Sequence, residues 1–211
     1  MRVLTVNGSP HEKGCTNAAL SVIADALREE GIESEIFWIG NQPLTGCVAC
    51  LHCAKTGKCA YDDSVNRFRE KAAEADAFIF GSPVHYAAAA GSMASFMDRA
   101  FYSESAGNGG KAFRHKPAAC IVSARRAGTT AALEQLFKYP MIQQMPVISS
   151  GYWNMVHGSK PEDIFKDEEG IWILKTLACN MAYFLKCLDA GKAAGLCPPS
   201  VPVKPKTDFI R

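Results

Sequence analysis

The sequence predicts an α/β fold: a five-stranded parallel sheet with helices on both faces. Two observations carry that reading. Short β-rich apolar runs alternate with helical patterns along the chain, and parallel strands need the crossover connections such helices supply. Each early run also ends abruptly in a loop rich in glycine, proline and hydroxyl side chains, as a buried strand does where it gives way to a helix. With 211 residues, 48% hydrophobic and 21% charged, the chain can bury a substantial core as one domain.

Residues 3–6 form the first strand, which stops at Asn7-Gly8-Ser9-Pro10. A helical pattern follows with Ala19, Leu20, Ile23, Ala24 and Leu27 on one face, and Gly31 at its C-terminal end, where helices commonly close. Residues 35–39 make the second strand. Asp63 and Ser64 can cap a helix carrying Val65, Phe68, Ala72 and Ala75. Residues 77–80 are the third strand, ending in the loop Gly81-Ser82-Pro83-Val84-His85-Tyr86. A helix over 91–101 places Met93, Phe96, Met97 and Ala100 on its apolar face, and a glycine-rich loop over 105–110 leads to a fourth strand at 118–122. A helix over 130–137, a fifth strand near 146–149 and a long helix over 167–188 complete the alternation. The organisation expected is one domain over residues 1–190 with a cysteine-rich loop insertion at 46–60, then an extended, proline-bearing tail over 191–211.

Composition excludes several function classes. A formal charge of +2 does not suggest a nucleic-acid surface. The N-terminus lacks the apolar core and cleavage site of a signal peptide. The apolar stretch 171–188 is interrupted by Lys175, Asn180 and Lys186, which argues against a membrane span. The expected location is the cytoplasm, where nine cysteines serve as thiols or metal ligands rather than as a disulfide framework.

In parallel sheets of this kind ligands sit beyond the carboxyl ends of the strands. Loops 8–17, 81–86 and 123–129 leave the sheet there, and so does the cysteine segment after the second strand, so all four are expected to cluster. In the first loop, GSPHEKGCTN, unpaired backbone N–H groups at a helix start favour an anion. Ser9 and Thr16 add hydroxyls, Asn17 an amide, and Gly8 and Gly14 let the backbone curl. The loop is neither a Walker loop nor a dinucleotide fingerprint. On its own it reads equally as a phosphate cradle or as a helix start capped by Thr16 or Asn17. A phosphoacceptor receiver would need acidic residues where Asn7 stands. A small tyrosine phosphatase would need an arginine six positions after Cys15, where Ser21 is found. The second loop presents a rigid Pro83 with His85 and Tyr86. Its backbone can match the donors and acceptors along a flavin edge, and a ring can cover the flavin face; alone it also reads as a simple turn.

Cys47, Cys50, Cys53 and Cys59 follow C-x2-C-x2-C-x5-C. Spacings of two turn successive thiolates onto one compact inorganic core, and the longer reach to Cys59 completes four ligands. Gly46 and Gly57 stand where turns are needed. Zinc sites more often use two separated C-x2-C pairs, so the register favours a 4Fe–4S cubane, with zinc or free thiols as alternatives. The run differs from that of bacterial ferredoxins, which has a shorter last spacing and a following proline; here Ala60 follows. His52, Lys55 and Lys58 lie close in sequence, either to stabilise electrons added to an anionic cluster or to solvate the loop. Cys120 is expected in the core, and Cys179, Cys187 and Cys197 sit in apolar or tail contexts. The aromatic loop 152–157 reads as a subunit interface, a flavin lid or a plain hydrophobic patch.

Taken together, GSPHEKGCTN, GCVACLHCAKTGKCAYDD, FGSPVHY and SARRAGTT resemble the flavodoxin-like NADPH-dependent FMN reductases, and in particular their iron–sulfur flavoprotein branch, over residues 1–188. The resemblance implies a flavodoxin-like fold, bound FMN and redox activity. It sets Ser9, His11, Cys15, Thr16 and Asn17 around the FMN phosphate and Pro83, Val84, His85 and Tyr86 along the isoalloxazine ring. Ser123, Ala124, Arg125, Arg126 and Gly128 would close the other side. His11 stands where the family often has arginine, and Cys15 where it has asparagine. Arg125 and Arg126 replace part of a glycine-rich loop, and face the flavin, an incoming nicotinamide phosphate or solvent. The implied activity is an FMN-dependent NAD(P)H oxidoreductase relaying electrons between a 4Fe–4S cluster on Cys47, Cys50, Cys53 and Cys59 and FMN. Its acceptor would be a flavin, a quinone or another small molecule, with a ferredoxin as a possible partner. No separate acid–base dyad is expected, because FMN carries the chemistry. Homodimers or homotetramers are implied as well. The contrasting expectations are a non-catalytic, metal-structured α/β binding module, and an FMN reductase whose cysteines are free thiols.

Overall fold

Five strands run parallel: β1 (Arg2–Asn7), β2 (Glu33–Trp38), β3 (Ala77–His85), β5 (Ala118–Ala124) and β6 (Met155–His157); a two-residue strand, β4 (Ala88–Ala89), folds back on β3. This is a computed structural model, and the structure describes residues 1–200, 205 and 207. The sheet order is β2-β1-β3-β5-β6, so the direction of winding reverses beside β1. That reversal splays the connections leaving β1 and β3 to opposite faces and opens a crevice at their carboxyl ends.

Side chains alternate across the sheet because successive residues of a strand point to opposite faces. Leu4, Val6, Phe78 and Phe80 enter one core, with Phe68 of α3 (Ser64–Glu74) and Phe96 and Phe101 of α4 (Gly91–Asn108). Val3, Ile79 and Ile121 enter the other, with Leu20, Ile23 and Leu27 of α1 (Cys15–Glu29) and Leu174, Leu177 and Met181 of α6 (Glu168–Ala193). The central strands β1, β3 and β5 are therefore buried on both faces along most of their length, whereas the edge strand β2 stays largely half-exposed. By length and composition α6 could cross a membrane. Its apolar stripe is instead spent on α1 and the sheet, each fully buried Leu or Met contributing about 1.5–3 kcal/mol. The remaining helices are α2 (His52–Thr56) and α5 (Thr129–Ile142), and a 3-10 turn spans Pro161–Lys166.

Several predicted boundaries move. The fifth strand is not at 146–149. There Val147 makes only an isolated bridge to Ala118, the chain loops out, and regular pairing resumes as Val122↔Met155 through Ala124↔His157. Residues 81–85, expected as loop, continue β3, because Gly81, Ser82 and Pro83 pair with Ile121, Val122 and Ser123. Residues 105–108, also expected as loop, are the last turn of α4, which closes on Gly109 in the left-handed region (φ 67°). Helix α6 continues through Gly191 to Ala193, past the expected start of the tail. Most of the expected extended tail beyond residue 200 lies outside the described residues.

Candidate functional site

The strand register assembles the first site. Asn7 pairs with Gly81, Pro83 with Ser123 and Ala124 with His157, so the loops after β1, β3, β5 and β6 open at one edge. They enclose a cleft of about 410 Å³. Close approach of β1 and β3 requires Gly8: its N–H donates to the Gly81 carbonyl at 2.8 Å, and a Cβ there would stand 2.5 Å from the Met93 Sδ and 2.9 Å from that carbonyl. Asn7 stitches the loop from below, accepting from the Ser9 N–H and donating to the Glu12 carbonyl. Ser9 Oγ accepts the His11 N–H, and the Trp38 indole donates to the Ser9 carbonyl.

Helix α1 starts at Gly14 with no side-chain cap. Thr16 is not its cap: its hydroxyl is buried at 2.8 Å from the Ser123 hydroxyl, tying the first loop to the end of β5. The N–H groups of the first turn are therefore left open at the cleft, which suits an anion. Lys13, Arg125 and Lys160 lie in the cleft wall, and among the described residues no carboxylate does. Burial pushes the Cys15 thiol up, so it is neutral near pH 7 and its Sγ donates to the Gly158 carbonyl.

Of the residues expected here, Ser9, His11, Cys15, Thr16, Pro83, Val84, His85, Ser123, Ala124 and Arg125 line the cleft. Asn17, Tyr86, Arg126 and Gly128 do not. Tyr86 sits at the tip of the β3–β4 hairpin, fully exposed (106%), and both turn residues, Tyr86 (φ 49°) and Ala87 (φ 59°), are left-handed. Gly128 (φ 98°) backs that hairpin, since a Cβ on it would come within 2.6 Å of the Ala87 Cα. Arg126 contributes its carbonyl, which faces the His157 Nε2 at 3.1 Å. The segment Gly158-Ser159-Lys160-Pro161 was missed. It leaves the carboxyl end of β6, and placing the fifth strand at 146–149 hid it.

The cysteines form a second, separate site. Cys47, Cys50, Cys53 and Cys59 line a small cavity of about 20 Å³ together with Arg99 and Tyr102 of α4. It shares no residue with the cleft, so the expected clustering of four features reduces to three loops in one place and the cysteines in another. The chain turns there through Ala49 (φ 53°), Leu51 (φ 60°) and Gly57 (φ 76°). Gly46, expected as a turn, is not in the left-handed region, and a Cβ there would make only ordinary contact with the Ser95 Oγ at 3.8 Å and the Asp98 Oδ2 at 4.0 Å. Close packing needs Gly107 of α4, where a Cβ would meet the Cys53 carbonyl at 2.8 Å and the Gly57 Cα at 2.9 Å. Burial pushes the Cys53 thiol up, with Cys59 and Cys47 adding to the shift.

Four cysteine sulfurs are a donor set that either an iron–sulfur core or a zinc ion takes. They surround a cavity of only about 20 Å³, and among the described residues no three His, Cys, Asp or Glu side chains converge on a point one ion could occupy. The cations expected to face it, His52, Lys55 and Lys58, are exposed, and Lys58 reaches toward Glu70. The buried cation at the cavity is Arg99, 1% exposed, whose Nε and Nη2 each lie 3.3 Å from the Cys59 Sγ.

A larger groove of about 560 Å³ lies behind the cysteines, between α3 and α4. Its buried Arg69 is committed to the Glu104 carboxylate at 2.8 Å and the Gly57 carbonyl at 2.7 Å. This pair braces the cysteine segment against both helices.

Comparison with known proteins agrees with this architecture. Residues 1–160 match the family described as NADPH-dependent FMN reductase. An iron–sulfur flavoprotein of Methanocaldococcus jannaschii is 28% identical over 195 residues, covering 89% of this chain and 99% of the relative. One from Archaeoglobus fulgidus is 29% identical over 172 residues, covering 81% and 83%. Among solved structures, an archaeal flavodoxin superposes with a TM-score of 0.59 at 16% identity, covering 88% of this chain and 99% of its own; that likeness establishes the flavodoxin-like fold. With a strand-end cleft and a four-cysteine cage on that fold, the chain belongs to the NADPH-dependent FMN reductase family of flavoproteins, in its iron–sulfur flavoprotein branch.

Proposed function

We propose that the protein is an NAD(P)H-linked FMN oxidoreductase in which the strand-end cleft holds FMN and the cysteine cage holds a 4Fe–4S cluster. The observation that carries the reading is the uncapped start of α1, open to a cleft whose charged side chains are cationic. When bound, FMN supplies hydride and single-electron chemistry and the cluster supplies one-electron storage.

The chain's own residues bind and orient. The first-turn N–H groups of α1 and Ser9 take the phosphate, and Lys13 and Lys160 balance its charge. The backbone of Pro83, Val84 and His85 runs along the flavin ring, beside Ser123, Ala124 and Arg125 at the end of the neighbouring strand. The Thr16–Ser123 hydroxyl pair ties the start of α1 to that strand end. The separation of cleft and cage within one chain favours a homo-oligomer, in which one subunit's cage approaches another's cleft. A small acceptor such as a flavin or quinone, and a cytoplasmic location, complete the reading.

The test is anaerobic purification with FMN, iron and sulfide assays, followed by addition of NADPH or NADH. A yellow protein with about four irons per chain that bleaches under the nicotinamide supports the reading. Protein that stays colourless with added FMN overturns it in favour of a binding module. FMN without iron leaves a reductase whose cysteines are free thiols.

A further inference from the structure

We propose that Arg99 is a positioning residue that sets the reduction potential of the cysteine cage by acting on Cys59 alone. The assignment rests on the cluster reading above. Arg99 stands on α4, forty positions from Cys59 in sequence, and no local motif connects the two. Its guanidinium donates from Nε and from Nη2 to the same sulfur, each at 3.3 Å. Among the described residues no other sulfur of the four accepts a side-chain hydrogen bond.

The far edge of the guanidinium is held by Asp63, with Nη1 to Oδ2 at 2.7 Å and Nη2 to Oδ1 at 3.0 Å. The Tyr61 carbonyl accepts at 3.1 Å, and the Tyr61 ring lies 4.9 Å from the guanidinium carbon. Arg99 and Asp63 are thus an ion pair of little net charge but fixed orientation. Its positive end faces the sulfur and its negative end faces away.

If the pair served only to tie α4 to the start of α3, Asp63 would satisfy the guanidinium and the fork would have no reason to present two donors to a thiol. Hydrogen bonds to cluster sulfurs and nearby fixed charges are what tune such centres. Reduction adds one electron to an anionic cage and forms no bond to the protein. An oriented dipole with its positive end on Cys59 stabilises the reduced state, so removing that end lowers the potential. Removing the negative end raises it. A merely structural pair predicts no such opposition in sign.

The experiment is an anaerobic titration with dithionite, which is oxidised as the cage takes one electron, monitored by electron paramagnetic resonance. It uses the full chain as wild type, Arg99→Met, Arg99→Lys and Asp63→Asn; asparagine preserves the helix cap at position 63. The expected result is a tenfold or greater loss of the reduced form at a fixed poise in Arg99→Met, which is about 60 mV for a one-electron couple. Arg99→Lys falls between, and Asp63→Asn moves the other way. Variants that retain iron with the wild-type potential overturn the assignment alone. Wild-type protein that takes up no iron overturns the cluster reading, and the assignment with it. If the Arg99 variants lose iron, pulsed resonance on reduced wild-type protein labelled with nitrogen-15 arginine decides: a guanidinium coupling supports the assignment, and its absence overturns it.

Discussion

The cleft and the cysteine cage are built in opposite ways. The cleft is made of short loops on the ends of rigid parallel strands, and backbone register alone brings its walls together. Little side-chain bonding is needed beyond Asn7, Trp38 and the Thr16–Ser123 pair. The cage is a long insertion with one short helix, and no sheet supports it. Buried polar side chains from elsewhere hold it. Asn66 exchanges hydrogen bonds with the Cys59 backbone, Arg69 takes the Gly57 carbonyl, Arg99 reaches the Cys59 sulfur, and Glu104 anchors Arg69. A site on strand ends inherits its precision from the sheet. A site on an irregular loop must have each turn pinned by side chains, and those pins are costly to break because they are buried charges.

The sharpest way to test this separation is to remove one cage ligand. Cys50→Ser is expected to take iron from about four per chain to none while leaving FMN binding intact, because the two cavities share no residue. FMN lost in parallel with iron would break the comparison. Next in size is Glu104→Gln, which leaves the buried Arg69 guanidinium without its carboxylate. It is expected to cost about 3 kcal/mol in denaturant unfolding and to loosen iron retention, again without effect on the cleft.

The same pair has a pH signature. Burial alone would push the Glu104 carboxyl up, but Arg69, Asn108 and the Ala112 N–H together hold it below its usual range. A value lower folded than unfolded means that the stabilisation is complete above the unfolded value of about 4.3 and is lost as pH falls through the folded value. Wild-type urea midpoints should therefore drop on acidification below about 4.3 more steeply than those of Glu104→Gln.

On the cleft side, Gly8→Ala forces a methyl against the Met93 sulfur and the Gly81 carbonyl. It is expected to cost about 2 kcal/mol and to weaken FMN binding measured by fluorescence quenching, with iron unchanged. The smallest effect is expected at the hairpin. Ala87→Gly relieves a left-handed alanine and should raise stability by about 1 kcal/mol or less. A loss of stability there would mean that the Ala87 methyl packs on Gly128 to more effect than its backbone strains.

The two sites were unequally legible before folding. Ten of the fourteen residues expected around the flavin line the cleft, because a strand followed by a glycine- and hydroxyl-rich helix start is a local pattern. Tyr86 and Gly128 stand outside the cleft lining because β3 runs on past Phe80, paired with β5, and turns into a hairpin. Residues 158–161 were missed because the fifth strand is interrupted, and the apolar run at 146–149 mimics the strand that resumes at Met155. The four cysteines are plain from their spacing. Arg99 is not, since a lone arginine on an amphipathic helix carries no mark of the sulfur it will meet.

What the sequence determined by itself is whatever depends on neighbours within a few positions. The alternation of strands and helices, the anion-ready start of α1 and the four-thiol spacing all arise from local sterics and periodicity. Only the tertiary structure decided which loop walls face one another, that cleft and cage lie apart, and that the cation on Cys59 comes from α4. Those outcomes depend on strand register and helix packing, which bring together residues such as Cys59 and Arg99 that no local pattern links.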